Sequence, residues 1–312
     1  MAVQNSLAAR KTGKQSMAVY LTGDAVKNQI NSILGGKNGT RFISSVVSSV
    51  NNNPALQECT NQSILSAALL GESLNLSPSP QLGQYYMVPF NDKEKGKVAQ
   101  FQLGYKGYIQ LAIRSGQYKK LNVLAIKEGE LIRFDPLNEE IEVKLIEDEE
   151  EREQAATIGY YAMFEYVNGF RKAIYWSKRK MLAHADKYSA AFSKDGGTIK
   201  TRNGEKKKVS FADFEAGNYP ASDAWMYSSF WYKDFDGMAY KTMLRQLISK
   251  WGIMSIDMIT AMDADMAVIN EDGTKDYVDN VQDDSNVIDA EVISEETTEQ
   301  AETSAADALF GK

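Results

Sequence analysis

The hydrophobic pattern of this chain changes period twice, from helical to alternating and back to helical. Residues 1–21 are polar and small, with Arg10, Lys11 and Lys14, and show no periodic apolar face, as expected of a flexible arm. From Thr22, a residue able to cap a helix, helical spacing runs to Leu34, where Gly35 and Gly36 stop it. A second helix is predicted from about Thr40 to the Asn51-Asn52-Asn53-Pro54 break. A third surrounds Ile64, Leu65, Ala68, Leu69 and Leu74 and ends before Ser77-Pro78-Ser79-Pro80.

Short alternating runs at 85–90 and 98–103 then predict a hairpin across a charged loop. A helix at 104–115 interrupts the strands, with Tyr108, Leu111 and Ala112 on one face and Lys106, Gln110 and Arg114 on another. Strands resume at 118–127 and 139–146, and two more, 158–167 and 170–176, flank Asn168-Gly169, whose residue types suit a type I′ turn. Residues 177–190 read as helix, 193–221 as a long Gly- and Lys-rich excursion, and 223–251 as helix broken near 234–237. This order, without internal repeats, predicts an α+β fold: N-terminal helices, a central antiparallel hairpin-rich sheet and C-terminal helices.

Charge adds a boundary that periodicity does not show. From Asp263 to Lys312 fifteen carboxylates face only Lys275 and Lys312, a net of −13 that leaves +6 on residues 1–262. The expectation is one domain over 22–262 followed by a disordered acidic tail over 263–312, whose few apolar pairs cannot offset its ordering entropy. Among them, Val287-Ile288, Val292-Ile293 and Leu309-Phe310 are candidates for docking on a partner. A basic body suits a polyanion if its cations cluster.

Several chemistries are excluded by residue type. Cys59 and His184 are the only cysteine and histidine, so neither an intrachain disulfide nor a zinc site of Cys/His composition can form, and a reducing compartment is expected. No apolar run reaches the ~18 residues of a membrane span and no signal-peptide core opens the chain, so the reading is cytoplasmic with no membrane partner. Gly35-Gly36-Lys37-Asn38-Gly39-Thr40 fails as a phosphate loop because Lys37 is followed by Asn38, not by Ser or Thr. The carboxylates at 147–151 are consecutive on a charged loop, a pattern of solvation rather than metal binding, and His184 beside Lys180, Asp186 and Lys187 reads as structural. No catalytic residue, cofactor or metal is expected.

The basic and aromatic material is richer. Phe170-Arg171-Lys172-Ala173-Ile174-Tyr175-Trp176-Ser177-Lys178-Arg179-Lys180 interleaves cations with aromatics, as single-strand binders do when cations follow phosphates and rings stack bases. It equally fits a two-faced strand whose Tyr175 or Trp176 is core. Lys206, Lys207 and Lys208, with Lys194, Lys200 and Arg202, make either a phosphate-gripping arm or a solvated loop. In Phe235-Asp236-Gly237-Met238-Ala239-Tyr240-Lys241-Thr242-Met243-Leu244-Arg245, the cations Lys241 and Arg245 lie four apart beside an apolar face of Tyr240, Leu244, Leu247 and Trp251. That spacing can hold consecutive phosphates, or it can be an amphipathic helix with solvated cations.

This last segment, Gln81-Leu82-Gly83-Gln84-Tyr85-Tyr86-Met87-Val88-Pro89-Phe90, and the block from Gln100-Phe101-Gln102-Leu103-Gly104-Tyr105-Lys106-Gly107-Tyr108 to Gly116 together resemble the RecT single-strand annealing proteins of phages and prophages. The resemblance implies an ATP-independent recombinase that binds single-stranded DNA, pairs it with a complementary strand and assembles into rings or helical filaments. It also implies a bacterial host cytoplasm, work beside a phage exonuclease and the host single-strand-binding protein, and magnesium at most as a modulator of annealing. On that reading Lys106, Gln110, Arg114, Arg171, Lys172, Lys178, Arg179, Lys206, Lys207, Lys208, Lys241 and Arg245 are the candidate DNA contacts, Tyr105, Tyr175 and Trp176 the candidate stacking rings. The acidic tail would compete with DNA for the basic body or dock a partner. The rival readings are a single-strand binder or phage scaffold without annealing, and a metal-dependent nuclease.

Overall fold

Ser16 accepts a hydrogen bond from the Val19 amide and starts the first helix, α1 (Met17–Thr22), ahead of the expected start at Thr22. Met17 and Leu21, one turn apart, are buried, so the last residues of the expected arm are part of the body; a single turn is too short for periodicity to register. The Thr22 hydroxyl donates to the Ala18 carbonyl and caps nothing. The computed structural model describes residues 15–92, 95–189, 191–201 and 204–277. Two further helices, α2 (Asp24–Leu34) and α3 (Gly36–Asn51), are separated only by Gly35, whose φ of 78° suits glycine. A fourth, α4 (Asn61–Ser73), is capped by Thr60 and buried along most of its length.

The expected first hairpin forms as β1 (Tyr85–Asp92) and β2 (Gly96–Leu103), leading into α5 (Tyr105–Arg114). At this junction the backbone approaches itself: a Cβ on Gly104 would strike the Gly83 carbonyl and one on Gly107 the Gln84 carbonyl. The glycines of the second block are therefore fixed by packing against the first block. A second antiparallel sheet, in the order β3-β6-β7, comprises β3 (Tyr118–Lys127), β6 (Thr157–Tyr166) and β7 (Arg171–Ser177). The turn between β6 and β7 is not type I′. Gly169 takes φ 89° but Asn168 does not take a positive φ; the Gly169 amide donates to the Tyr166 carbonyl and the Asn168 side chain accepts from Phe170.

One small hairpin was only half visible in the sequence: β4 (Leu131–Asp135) pairs with β5 (Glu140–Val143), the shortened form of the expected 139–146 strand. The carboxylates Glu149, Glu150 and Glu151 fill the first turn of α6 (Glu149–Gln154) behind the Asp148 cap, where the helix dipole favours them. Beyond α7 (Lys178–Tyr188), the excursion folds as β8 (Thr198–Thr201), β9 (Gly204–Lys207) and α8 (Phe211–Glu215). A 3-10 segment at Ala221–Tyr227 and α9 (Phe230–Lys233) lead to Asp234, which breaks the helical run as expected and caps α10 (Phe235–Trp251). Two cores meet at α10. Its Leu244 and Ile248 join the N-terminal helices and β1-β2, whereas Ala239, Met243 and Leu247 pack on the β3-β6-β7 sheet.

The acidic tail does not begin at residue 263. After α11 (Ile256–Asp263), β10 (Ala267–Ile269) joins β2 and β11 (Lys275–Tyr277) completes a four-stranded sheet in the order β1-β2-β10-β11. Asp263, Asp265 and Asp276 pair with Lys275, with Lys241 and Arg245, and with Lys95. Two carboxylates that a charge count assigns to a tail, Asp265 and Asp276, are thus partners of the body's own cations. The remainder of the expected tail, 278–312, lies outside the described residues, as do residues 1–14 of the expected arm.

Glu130, at the β3-β4 turn, is fully buried. Its oxygens accept from Arg152 Nε at 2.6 Å, the Lys127 amide at 2.8 Å and the Ile146 amide at 3.2 Å. Burial alone would raise the carboxyl's pKa, but the Arg152 guanidinium and the two amides outweigh it and hold the group below its ordinary 4.5. A lowered folded-state pKa contributes stability that is complete above the unfolded value and lost as pH falls through the folded one. Urea unfolding from pH 7 down to pH 3, about the span over which carboxylates titrate, is expected to show Glu130→Gln less stable than wild type at neutral pH. The two should converge at the acid end, and a constant gap would contradict the assignment.

Candidate nucleic-acid interface

The cation pair on α10 converges on one buried carboxylate. Lys241 Nζ lies 2.8 Å from Asp265 Oδ1 and Arg245 Nη1 lies 2.9 Å from Oδ2, while the Leu103 amide donates to Oδ1 at 2.9 Å. The Asp265 side chain has no exposure and that of Lys241 only 9%, so Lys241 cannot present its charge to a phosphate. Arg245 keeps 43% side-chain exposure with one nitrogen committed to Asp265. The i, i+4 spacing read as a phosphate grip instead closes on one carboxylate. Of the expected apolar face, Leu244 and Leu247 are buried, but Trp251 is 50% exposed.

The stripe on α5 is placed as expected. Lys106, Gln110 and Arg114 are all exposed, and Arg114 Nε donates back to the Gln110 carbonyl at 3.3 Å. Tyr105 is half-buried, edge-on to Tyr240 with centroids 5.5 Å apart, so its ring is largely packing. Where the stripe ends, an open depression of about 450 Å³ lies between Ile113 of α5 and Lys119, Lys120, Asn122 and Met163 of the sheet. Lys119 and Lys120 sit 2.6 and 3.5 Å from Glu165, and strand register sets Glu165 opposite Arg171. The hydrogen bond from Lys119 holds the Glu165 carboxyl below its ordinary range; it pairs with two lysines, and with Arg171 on the next strand a positive excess remains. Arg171 is exposed and also reaches the Tyr161 hydroxyl at 3.4 Å.

The other candidates divide between internal and solvent-facing roles. Lys172 pairs with Glu139 and lies 3.7 Å from the centroid of the Trp251 ring. Lys178 pairs with Glu215 at 3.0 Å beside the Phe211 and Phe235 rings. Arg179 is exposed and makes no ion pair among the described residues. Of the lysine run, Lys206 pairs with Asp223 at 2.5 Å, while Lys207 is exposed without an ion pair among the described residues. Lys208 is buried, donates to the Ala191 carbonyl at 2.9 Å and has its pKa pushed down by burial, so it does not serve as a phosphate grip. Tyr175 fills the space left by Gly159 and lies 5.1 Å from Phe134, which makes it core. Trp176 points to the opposite face and is partly buried there against the larger core.

A model of the RecT family matches residues 40–282, spanning α3 to beyond β11. The chain belongs to the RecT family. It is 38% identical over 299 residues to the uncharacterized protein YqaK of Bacillus subtilis, covering 95% of this chain and 87% of that one. It is 34% identical over 132 residues to Protein RecT of Escherichia coli, covering 41% of this chain and 48% of that one. RecT proteins are single-strand annealing proteins of DNA recombination, so DNA binding is the chemistry to seek on this surface. The family match runs through β10 and β11, in keeping with a folded body that extends past residue 263. Among the described residues no helix is long and apolar enough to cross a membrane.

Within this RecT chain Arg114 at the end of α5, Lys119 and Lys120 at Glu165, and Arg171 on the neighbouring strand form one group of solvent-facing cations. Sequence reading found the first and last of them. Lys119-Lys120 was visible as a basic dipeptide opening a strand, but strand cations on a charged stretch read as ordinary solvated positions. Arg179 lies apart from this group: β7, rising ~3.3 Å per residue, puts roughly 20 Å between Arg171 and the start of α7.

Proposed function

We propose that this RecT-family chain anneals complementary DNA strands without nucleotide hydrolysis, holding one backbone along α5 and the Lys119, Lys120 and Arg171 cluster. The observation that supports the reading is the depression at the end of the α5 stripe, where Lys119 and Lys120 share Glu165 and strand register sets Arg171 across from that carboxylate. Cations placed there neutralise phosphates and leave base edges free for a second strand to test by pairing. Correct pairing supplies its own driving force, ~1.4 kcal/mol per base-pair step on average, so alignment and charge neutralisation are sufficient and no covalent step is needed. Assembly of subunits in a ring or filament would make each later contact nearly intramolecular and let a modest site hold a long strand. The setting that fits is a bacterial cytoplasm, with phage recombination as the source of single strands and an exonuclease and the host single-strand-binding protein as partners.

The test is duplex formation between two complementary fluorescent oligonucleotides, without ATP, across a salt series and beside a mismatched pair. Accelerated, salt-sensitive pairing of the matched strands alone is the expected result. Binding without acceleration would reduce the protein to a single-strand binder or scaffold, and shortened strands appearing with magnesium would make it a nuclease.

A further inference from the structure

Three rings form a row at the end of β7 and along α7. Trp176 and His184 have centroids 5.4 Å apart at 63°, and His184 and Tyr188 4.6 Å apart at 45°. Lys180, His184 and Tyr188 recur every fourth residue and so rise one above another on one helix face. The adjacent stripe, with Met181 and Ala185, is buried against the sheet, which fixes the row in place. Lys180 Nζ lies 4.3 Å from the Trp176 ring and Lys187 Nζ 5.2 Å from the Tyr188 ring, while Arg179 adds a third exposed cation. The one carboxylate on α7, Asp186, already accepts from the Lys194 amide at 2.8 Å.

Core packing accounts for Trp176, partly buried against the sheet core, but not for Tyr188. Tyr188 is 65% exposed, although a tyrosine in the core would remove most of its ring from water. His184, read from sequence as structural, is kept neutral at neutral pH by burial and by Lys180 and Lys187, so it presents an uncharged aromatic face. Ring faces flanked by cations are the arrangement that sequence-independent single-strand sites use, because every base has a π-face and every nucleotide a phosphate.

We propose that Trp176, His184 and Tyr188 form a base-stacking platform for single-stranded DNA, with Arg179, Lys180 and Lys187 on the phosphates of the same nucleotides. The proposal rests on the annealing reading, and it assigns to α7 a contact separate from the α5 depression. Stacking requires bases, whereas charge attraction requires only the backbone, so an abasic strand of equal length and charge separates the two.

The experiment measures binding of a thymidine oligonucleotide and an abasic oligonucleotide to wild type, Tyr188→Ala and Tyr188→Phe by fluorescence anisotropy at fixed salt. In parallel, the ring resonance of His184, the chain's only histidine, is followed by NMR on protein freed of any histidine tag. Tyr188→Ala should weaken thymidine binding about fivefold or more and leave abasic binding unchanged, Tyr188→Phe should bind as wild type, and thymidine but not abasic DNA should shift the His184 resonance. Unchanged thymidine binding in Tyr188→Ala, equal losses on both strands, or a resonance that ignores thymidine DNA would overturn the platform while leaving the annealing reading intact. Wild type that binds neither strand would overturn both.

Discussion

Asp265→Ala is expected to cost about 3–5 kcal/mol of folding stability, the range found when one partner of a buried ion pair is removed. The substitution leaves the Lys241 ammonium, 9% exposed, without its counter-charge, and it leaves the Leu103 amide without its acceptor. Arg245 can turn to solvent, so the loss comes chiefly from Lys241 and from the backbone contact. Against a total of about 5–15 kcal/mol for a folded domain, that is enough to lower the urea midpoint clearly. Lys241→Met should cost less, because Arg245 and the Leu103 amide still satisfy Asp265. Equal, small effects for both would mean that the clamp is not structural and would return Lys241 to the list of phosphate contacts. The clamp also governs how the C-terminal segment can be studied. Truncation after residue 277 preserves Asp265 and both of the last strands, whereas truncation near 261 would remove them and confuse unfolding with loss of a competing acidic segment.

What the sequence showed, and what it hid, follows from the range of the interactions. The α5 stripe was legible because exposure on a helix is a local property of period 3.6, and Lys106, Gln110 and Arg114 need no distant partner to define it. Lys241 was not, because its position on α10 gave the same spacing as a solvated cation while its partner lay 24 residues away among carboxylates that charge counting groups together. Lys208 failed for the same reason: a lysine triplet reads as solvated, yet the third member donates to a carbonyl in a loop 17 residues earlier. Strand β4 was missed because Leu131-Ile132-Arg133-Phe134-Asp135 is short and its partner β5 is shorter still. The glycines at 104 and 107 stood out in the sequence, but only the fold shows that carbonyls of the preceding block occupy the space of their missing side chains.

The triple substitution Lys119→Ala, Lys120→Ala, Arg171→Ala is expected to weaken single-strand binding roughly tenfold or more at low salt and to flatten the plot of log affinity against log salt by about 2. Each neutralised phosphate on a single strand releases counterions worth about 0.7 of slope, so three contacts set that figure. The fold should tolerate the change: Lys119 and Lys120 have side chains 56% and 64% exposed, and Arg171 is exposed as well. Glu165, with a side chain only 17% exposed, loses both lysine partners, so a urea midpoint first establishes that the triple variant is folded. A matched control comes from Lys172→Ala and Lys178→Ala, which remove comparable charge from positions already paired with Glu139 and Glu215. If the depression holds the DNA backbone, the triple variant loses slope and the control variants keep it. If all of them lose slope equally, binding follows net charge and not a defined path. An unchanged slope in a folded triple variant would move the backbone off the depression, leaving Lys106 and Arg114 on α5, Lys207 on β9 and Arg179 on α7 among the exposed cations from which to trace it.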